Sequence, residues 1–394
     1  MEAISGLSSS NELGRNHPSS TEETPKLLYC TAIKSRTMVN HDTVDLPVID
    51  YAALGEKDAA GHRTAVSIDE RRRLFTALRD IGFAYLKHPG VNQVTVDELF
   101  AHSRRFFAKP LEEKMQILGK LDKGRGPSQG YSNPQQLAHN PQTSDLKEFF
   151  GMYRDDDTEK PNQWLSDADS KAMRTDLVRF FDSCHGVILE LLSALAEEVG
   201  LAAETLHPFI REKNHFIACL HYPATEPESF RTRVRAAAHT DYGCLTLLFN
   251  DSGEGLQVLR NNGQYEYVPR KDGCAVLNVG DLLSRFFNGV LPSTMHRVVE
   301  PPATRSGSSA DQVPDRYAIA FFGHFNLDLL VKPLDALVSA TNPARFEPVV
   351  AGEHVKARVK QLHVAGHSLT PTDNEKNAES RAAVTQPAVA SASA

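Results

Sequence analysis

Apolar residues recur every three to four positions through much of the first half of the chain. From 68 to 81, Leu74, Leu78 and Ile81 fall at positions i, i+4 and i+7, which is the spacing of one helix face. This half is therefore predicted to be mainly helical. The pattern predicts helices over 68–80, 94–107, 111–118 and 177–198, and strands over 46–50 and 82–86.

From residue 216 onwards the pattern changes to short apolar segments separated by Gly, Asn, Asp or Pro. Many short strands with such punctuation are typical of a sandwich or barrel. We therefore predict a mainly β fold with surrounding α-helices, and a polar, mobile loop over 301–315. The predicted strands are 216–222, 237–249, 256–260, 265–269, 274–279, 296–300 and 316–322.

Charge and cysteine content narrow the class of protein. The 394 residues carry a formal net charge of −7, and we expect no nucleic-acid partner. The short basic run Arg71 to Arg73 is interpreted as a solvated helix face. No stretch approaches the roughly 18 apolar residues of a membrane span. Five cysteines without a C-x-x-C pair favour reduced thiols, so a cytoplasmic protein without a membrane partner is expected.

Composition also predicts how the chain is organised. Residues 1–43 are polar and are predicted to form a mobile tail, and residues 368–394 are predicted to be disordered. Between them we predict an N-terminal region of helices and core-joining strands (44–205), a β domain (206–345) and a C-terminal helix (346–367). A monomer or a homodimer is expected.

A candidate metal site stands in the strand-rich half. Of the 16 histidines, only His239 has an acidic residue two positions on, Asp241, and on a strand both side chains would point to one face. His296 opens a strand-like run 55 residues after Asp241. Two histidines and one carboxylate that leave positions open suit Fe(II) oxygen chemistry. The residues alone equally allow a hydrogen-bonded His–Asp pair and an unrelated surface histidine.

An ordered series of motifs resembles the isopenicillin-N-synthase-like branch of the Fe(II)/2-oxoglutarate-dependent dioxygenases. The resemblance implies a double-stranded β-helix (jelly-roll) core and Fe(II) held by His239, Asp241 and His296. The motifs are LPVID (46–50), GFAYLKHPGV (82–91), FFAKPLEEK (106–114), DLKEFFG (145–151), LHYPA (220–224), HTDYGCLTLL (239–248), GLQV (255–258), NVGD (278–281), NGVLPSTMHRV (288–298) and RYAIAFF (316–322).

The resemblance also implies a cosubstrate site. Arg316 matches the arginine that holds the C5 carboxylate of 2-oxoglutarate, and its planar guanidinium offers paired donors that never deprotonate. Tyr222 matches a tyrosine whose hydroxyl often shares that carboxylate. The family usually carries Arg-x-Ser at this point, whereas this chain has Ala318 in place of the serine. The missing hydrogen bond would weaken 2-oxoglutarate binding about tenfold, unless water replaces the hydroxyl.

The implied activity is that of an EC 1.14.11-type oxidoreductase. Fe(II), 2-oxoglutarate and O2 would together oxidise an unactivated C–H bond of a small molecule, with succinate and CO2 as co-products. Hydroxylation, desaturation and oxidative cyclisation are all possible outcomes, and specialised-metabolite biosynthesis is the expected setting. Three alternatives stay open: an oxidase of the same fold that needs no 2-oxoacid, a zinc hydrolase, and a binding protein without chemistry.

Overall fold

Strands occupy the centre of the computed structural model, which describes residues 43–119, 129–133, 145–251, 254–302 and 312–364. The strands are β1 Val48–Asp50, β2 Phe83–Lys87, β3 Gly130–Ser132, β4 Glu148–Met152, β5 Phe216–Tyr222, β6 Ala236–His239, β7 Leu245–Asn250, β8 Leu256–Leu259, β9 Tyr265–Tyr267, β10 Cys274–Val279, β11 His296–Val298, β12 Arg316–Phe322, β13 Leu330–Val331 and β14 Val349–Val350.

Two sheets face each other across an apolar interior. The main sheet has eight strands in the order β1-β2-β10-β7-β12-β5-β4-β3, and the minor sheet has four in the order β6-β11-β8-β9. All pairs are antiparallel except β1 with β2. A buried cluster contains Tyr85 and Tyr222 from the main sheet and Val258 and Val298 from the minor sheet, so these faces pack together.

Helices cover the other face of the main sheet. The long helix α5 buries Leu177, Phe180, Leu191 and other apolar residues in the largest core cluster, which also contains Ile319 of β12. The helices are α1 Tyr51–Leu54, α2 Ala65–Asp80, α3 Gln93–Phe107, α4 Leu111–Met115, α5 Ala168–Glu198, α6 Asp281–Phe286 and α7 Ala351–Val364. Short 3-10 helices lie at Ala203–Ile210, Pro227–Arg231 and Asp335–Leu337.

Local sequence explains where the long helices begin. Asp167 precedes α5, and its side chain accepts a hydrogen bond from Ser170 N at 2.9 Å. Thr64 caps α2 in the same way by accepting from Ser67 N. Such caps satisfy amide groups that have no partner inside the helix. At the other end of α5, Gly200 has φ +77°, a conformation that favours glycine and ends the helix.

Three interpretations of the sequence need correction. The helix predicted over 177–198 begins at Ala168, because Asp167 caps it there. The segment 237–249 is not one strand, because β6 ends at His239 and β7 begins at Leu245. The chain turns between them at Gly243, where a side chain would meet Gly323 O at 2.2 Å. The basic run on α2 is not wholly solvated either. Arg71 is only 2% exposed and pairs with Glu190 and Glu197 of α5.

The mainly β prediction is confirmed, and most predicted strands agree with the structure to within two residues. The predicted C-terminal helix 346–367 corresponds to α7, which is shorter. The predicted tails and the loop 301–315 lie outside the described residues, except for 43, 301–302 and 312–315. Within the described part of the chain, no helix is long and apolar enough to cross a membrane. Cys184, Cys219, Cys244 and Cys274 are free thiols, and the first three are buried.

Candidate active site

The three predicted metal ligands come together at one end of the space between the sheets. One ligand atom from each of His239, Asp241 and His296 lies within 4.8 Å of the others. Asp241 Oδ1 is 3.9 Å from His239 Nε2 and 3.8 Å from His296 Nε2. All three side chains belong to the β6–β11 edge and the loop that follows β6, so they approach a common point from one side.

Strand register explains how residues 57 positions apart become neighbours. His239 on β6 and His296 on β11 are direct cross-strand partners, and their ring centroids are 4.3 Å apart. Asp241 lies beyond the end of β6, so the two-residue period of a strand does not by itself place it. The turn after His239 completes the approach of its carboxylate to both imidazoles.

Hydrogen bonds orient each ligand. His239 Nδ1 donates to Ala237 O at 2.7 Å, and His296 Nδ1 donates to Thr294 O at 3.2 Å. These bonds fix the tautomer in which each Nε2 keeps its lone pair for a metal.

The carboxylate of Asp241 is held in a similar way. Thr246 Oγ1 and Asn278 Nδ2 both donate to its Oδ2, at 2.6 and 2.7 Å. The other oxygen, Oδ1, therefore faces the two imidazoles. Both donors lie in motifs that the sequence displays, HTDYGCLTLL and NVGD, but nothing in their spacing showed that they converge on Asp241.

The protonation states also suit a metal. Burial, followed by the nearby His296, lowers the pKa of His239 to about 4. Burial alone would raise the pKa of Asp241, but the two imidazoles and the Asn278 and Thr246 donors outweigh it, so this pKa lies below its ordinary value. A neutral imidazole and a carboxylate are the forms that bind metal ions. Two imidazole nitrogens and one carboxylate oxygen, gathered on one side of a common point, fit Fe(II).

Deeper between the sheets, a buried arginine has hydrogen-bond donors without a protein acceptor. Arg316 is 1% exposed, and its Nη2 donates to Asn250 Oδ1 at 2.5 Å. Among the described residues, its Nε and Nη1 have no hydrogen-bond partner. Tyr222, its cross-strand partner, has its ring centroid 4.8 Å from the guanidinium carbon. Two donor nitrogens without a protein partner on a buried cation fit a carboxylate group.

Ala318 lies on the same face of β12 as Arg316, because side chains alternate along a strand. It is 1% exposed and pairs with Leu220 on one side and Asn250 on the other. A serine at this position would therefore place a hydroxyl next to the guanidinium. The replacement of the usual serine by Ala318 therefore lies beside Arg316, where the hydroxyl would bind the cosubstrate carboxylate.

Two further charged side chains lie here without having been singled out from the sequence. Arg235 is 1% exposed, donates to Pro314 O at 2.5 Å and lies 6.0 Å from the Tyr222 ring centroid. Lys147 pairs with Asp145 at 2.7 Å, and Asp145 in turn accepts from Ala237 N at 3.0 Å. No signal in the sequence marked either residue, because Arg235 lies just before β6 and Lys147 just before β4.

An apolar wall adjoins the ligands. Tyr153, Phe216 and Ala218 form a small buried cluster with Phe149, Leu220 and Phe322 packed against it. Phe322 pairs with Thr246, the residue that holds Asp241. Phe149 and Phe322 thus lie on the side of the ligands, whereas Phe150 belongs to the largest core cluster, which the helices cover.

Comparisons with known proteins agree with this geometry. Residues 46–167 match the family described as non-haem dioxygenase in morphine synthesis N-terminal, and residues 213–325 match the 2OG-Fe(II) oxygenase superfamily. The chain is 33% identical over 302 residues to proline hydroxylase buaE of Petromyces alliaceus, with 74% of this chain and 93% of that protein covered. It is 31% identical to 2-oxoglutarate-dependent dioxygenase frbA of Dothideomycetidae sp. (strain 11243), with 75% and 90% covered.

Solved structures give the same result for the fold. A full-length Neurospora crassa protein, crystallised in complex with alpha-KG and 5-formyluracil, superposes with a TM-score of 0.71 at 31% identity, over 82% of this chain and 98% of that one. A putative 2OG-Fe(II) oxygenase family protein from Caulobacter crescentus gives 0.67 at 30% identity, over 81% and 100%. These likenesses confirm the predicted jelly-roll core.

Proposed function

Since the chain belongs to the 2OG-Fe(II) oxygenase superfamily, we propose that it is a dioxygenase of the EC 1.14.11 type that oxidises an unactivated C–H bond of a small molecule. The family uses Fe(II), 2-oxoglutarate and O2. The observation that carries the proposal is the convergence of two imidazole Nε2 atoms and Asp241 Oδ1 within 4.8 Å. Specialised-metabolite biosynthesis is the proposed setting, as the sequence resemblance implies.

Each site residue has a proposed role. His239, Asp241 and His296 would hold Fe(II), which supplies O2 activation coupled to decarboxylation of 2-oxoglutarate to succinate. Arg316 would bind the C5 carboxylate through Nε and Nη1, with Tyr222 beside it. The apolar wall around Phe216 and Phe322 would exclude water and face the substrate. The protein's part is thus binding, orientation and exclusion of water.

The experiment that tests this function measures succinate release and substrate oxidation together. We expect one succinate per product in the presence of Fe(II), O2 and 2-oxoglutarate, and no product without O2. Product formation without 2-oxoglutarate would instead support an oxidase that needs no 2-oxoacid. Oxygen-independent turnover would support a zinc hydrolase. The named relatives and the alpha-KG complex of the Neurospora crassa protein favour the first outcome.

Restoring the usual serine provides a specific prediction for the cosubstrate site. Ala318→Ser adds a hydroxyl beside Arg316 and is expected to tighten 2-oxoglutarate binding up to about tenfold, since one hydrogen bond contributes about 0.5–1.5 kcal/mol. Calorimetric titration of the anaerobic metal-loaded protein measures the change. Ala320→Ser is the matched control, because it adds the same group two residues nearer Phe322 on the same face. Equal or weaker binding in Ala318→Ser would contradict this placement of the C5 carboxylate.

We also propose how the chain is organised and where it acts. The division into 44–205 and 206–345 is supported by the two family matches, each of which falls within one part. A cytoplasmic enzyme that works as a monomer or homodimer, without nucleic acid or a membrane, is consistent with the four free thiols of the described residues and the net charge of −7.

A further inference from the structure

A fully buried carboxylate lies behind the metal ligands and contacts both ligand-bearing segments. Asp281, at the start of α6, is 0% exposed, and its backbone N–H donates to Asp241 O at 2.7 Å. Its Oδ1 accepts from Ser293 Oγ at 2.7 Å. Ser293 lies three residues before His296. Asp281 therefore connects the loop that carries Asp241 with the segment that precedes His296 on β11.

The C-terminal helix supplies the cations that face this carboxylate. Arg358 Nε and His354 Nε2 of α7 each lie 3.5 Å from Asp281 Oδ2. Arg358 is 3% exposed, although it belongs to the last helix of the described chain. A buried ion pair is maintained only when the surrounding geometry holds both charges, so α7 is docked against the site by more than apolar contact.

Arg358 also reaches the metal-binding loop directly. Its Nη2 donates to Thr240 Oγ1 at 3.0 Å, and its guanidinium carbon lies 5.1 Å from the Tyr242 ring centroid. Thr240 and Tyr242 flank Asp241 on both sides in the sequence. The guanidinium thus contacts the residue before the carboxylate ligand and the residue after it, while its Nε faces Asp281.

We propose that Arg358 is a positioning residue for the metal centre, which fixes the 240–242 loop through Thr240 and Tyr242 and is itself held by Asp281. This inference rests on the proposed metal site and adds the C-terminal helix to it. The loop after β6 has no strand pairing of its own to fix Asp241. Contacts from Arg358 to the residues on both sides of Asp241 add to the hydrogen bonds that Asp241 itself accepts from Thr246, Asn278 and the backbone of Asp281.

Metal affinity is the measurement that separates positioning from general stability. Arg358→Gln is expected to weaken Co(II) and anaerobic Fe(II) binding about 10- to 100-fold, the usual effect of losing an outer partner of a metal site. Arg358→Lys keeps the charge but loses the planar guanidinium with its several donors, and we expect its metal affinity to lie between those of Arg358→Gln and the unaltered chain. Lys356→Ala is the matched control on the same helix, because the Lys356 side chain is 38% exposed and pairs with Glu353 of the same helix.

Thr240→Val provides a second and gentler test, since it removes the hydroxyl and keeps the shape. It is expected to weaken metal binding less than Arg358→Gln does, and the double variant should bind no worse than Arg358→Gln alone. If Arg358→Gln fails to fold, the Thr240→Val titration decides. Unchanged metal affinity in Thr240→Val and in any folded Arg358→Gln protein would overturn the proposal. Failure of the unaltered chain to bind metal would instead contradict the proposed function.

Discussion

Replacing His239 with alanine is expected to abolish metal binding at micromolar concentrations and to reduce substrate oxidation to background. Loss of an outer partner already costs about 10- to 100-fold in affinity, so loss of one of three ligands should exceed about 100-fold. The fold should survive, because His239 is the last residue of β6 and half-buried. Titration with Co(II) and a product assay with Fe(II) give the two measurements.

The matched control for this variant is His62→Ala, because the His62 side chain is 81% exposed. It should bind metal and turn over as the unaltered chain does. Turnover in the His239→Ala protein comparable to that of the control would contradict the metal assignment, including the roles given to Asp241 and His296.

Replacing Arg316 with glutamine is expected to remove cosubstrate binding while metal binding persists. Breaking a buried charge pair costs about 3–5 kcal/mol, which corresponds to an affinity for 2-oxoglutarate that is weaker by about 150- to 4000-fold. The expected cause is the loss of the two free donors, Nε and Nη1, which face no protein acceptor in the described chain. Calorimetric titration of the anaerobic Co(II) protein with 2-oxoglutarate measures the effect.

Two variants make the Arg316 result specific. Arg316→Lys retains the charge but loses the paired donors, and intermediate affinity is expected. Arg297→Gln removes an arginine that follows His296 on β11, where it bonds Gln257 and stacks on Tyr265, and it should leave 2-oxoglutarate binding unchanged. If Arg316→Gln binds 2-oxoglutarate normally, the arginine serves another anion, such as a substrate carboxylate.

The sequence predicted the parts of the site that depend on local order along a strand. β5, β10 and β12 were predicted to the residue, because each is a continuous apolar run bounded by turn residues. Arg316 and Ala318 were singled out by the family resemblance, and alternation along β12 then places them on one face. The β6–β7 boundary was missed although His239 to Gly243 interrupts the apolar pattern, because the turn depends on backbone contacts with Gly323 that no local pattern shows.

What the sequence did not predict depends on contacts between distant segments. Thr246 and Asn278 bond one oxygen of Asp241 from two different strands. Arg358 reaches Thr240 from 118 residues away. On α2, the same lack of long-range information led to the wrong interpretation of Arg71, whose partners lie more than 100 residues further on. Helical periodicity identifies which face is polar, but not whether a second helix buries it.

The protonation state of the buried cysteines affects how readily the protein is oxidised. Burial raises the pKa of Cys219 and of Cys244 to about 12, and Cys244 lies three residues after Asp241. A thiol of this kind is almost never a thiolate at neutral pH, and the thiolate is the form that oxidants attack. An oxygenase handles O2 at its own metal, and turnover that fails to reach substrate exposes nearby side chains to oxidation. The buried and protonated sulfurs are therefore poor targets for oxidants, such as peroxide, that react with thiolates.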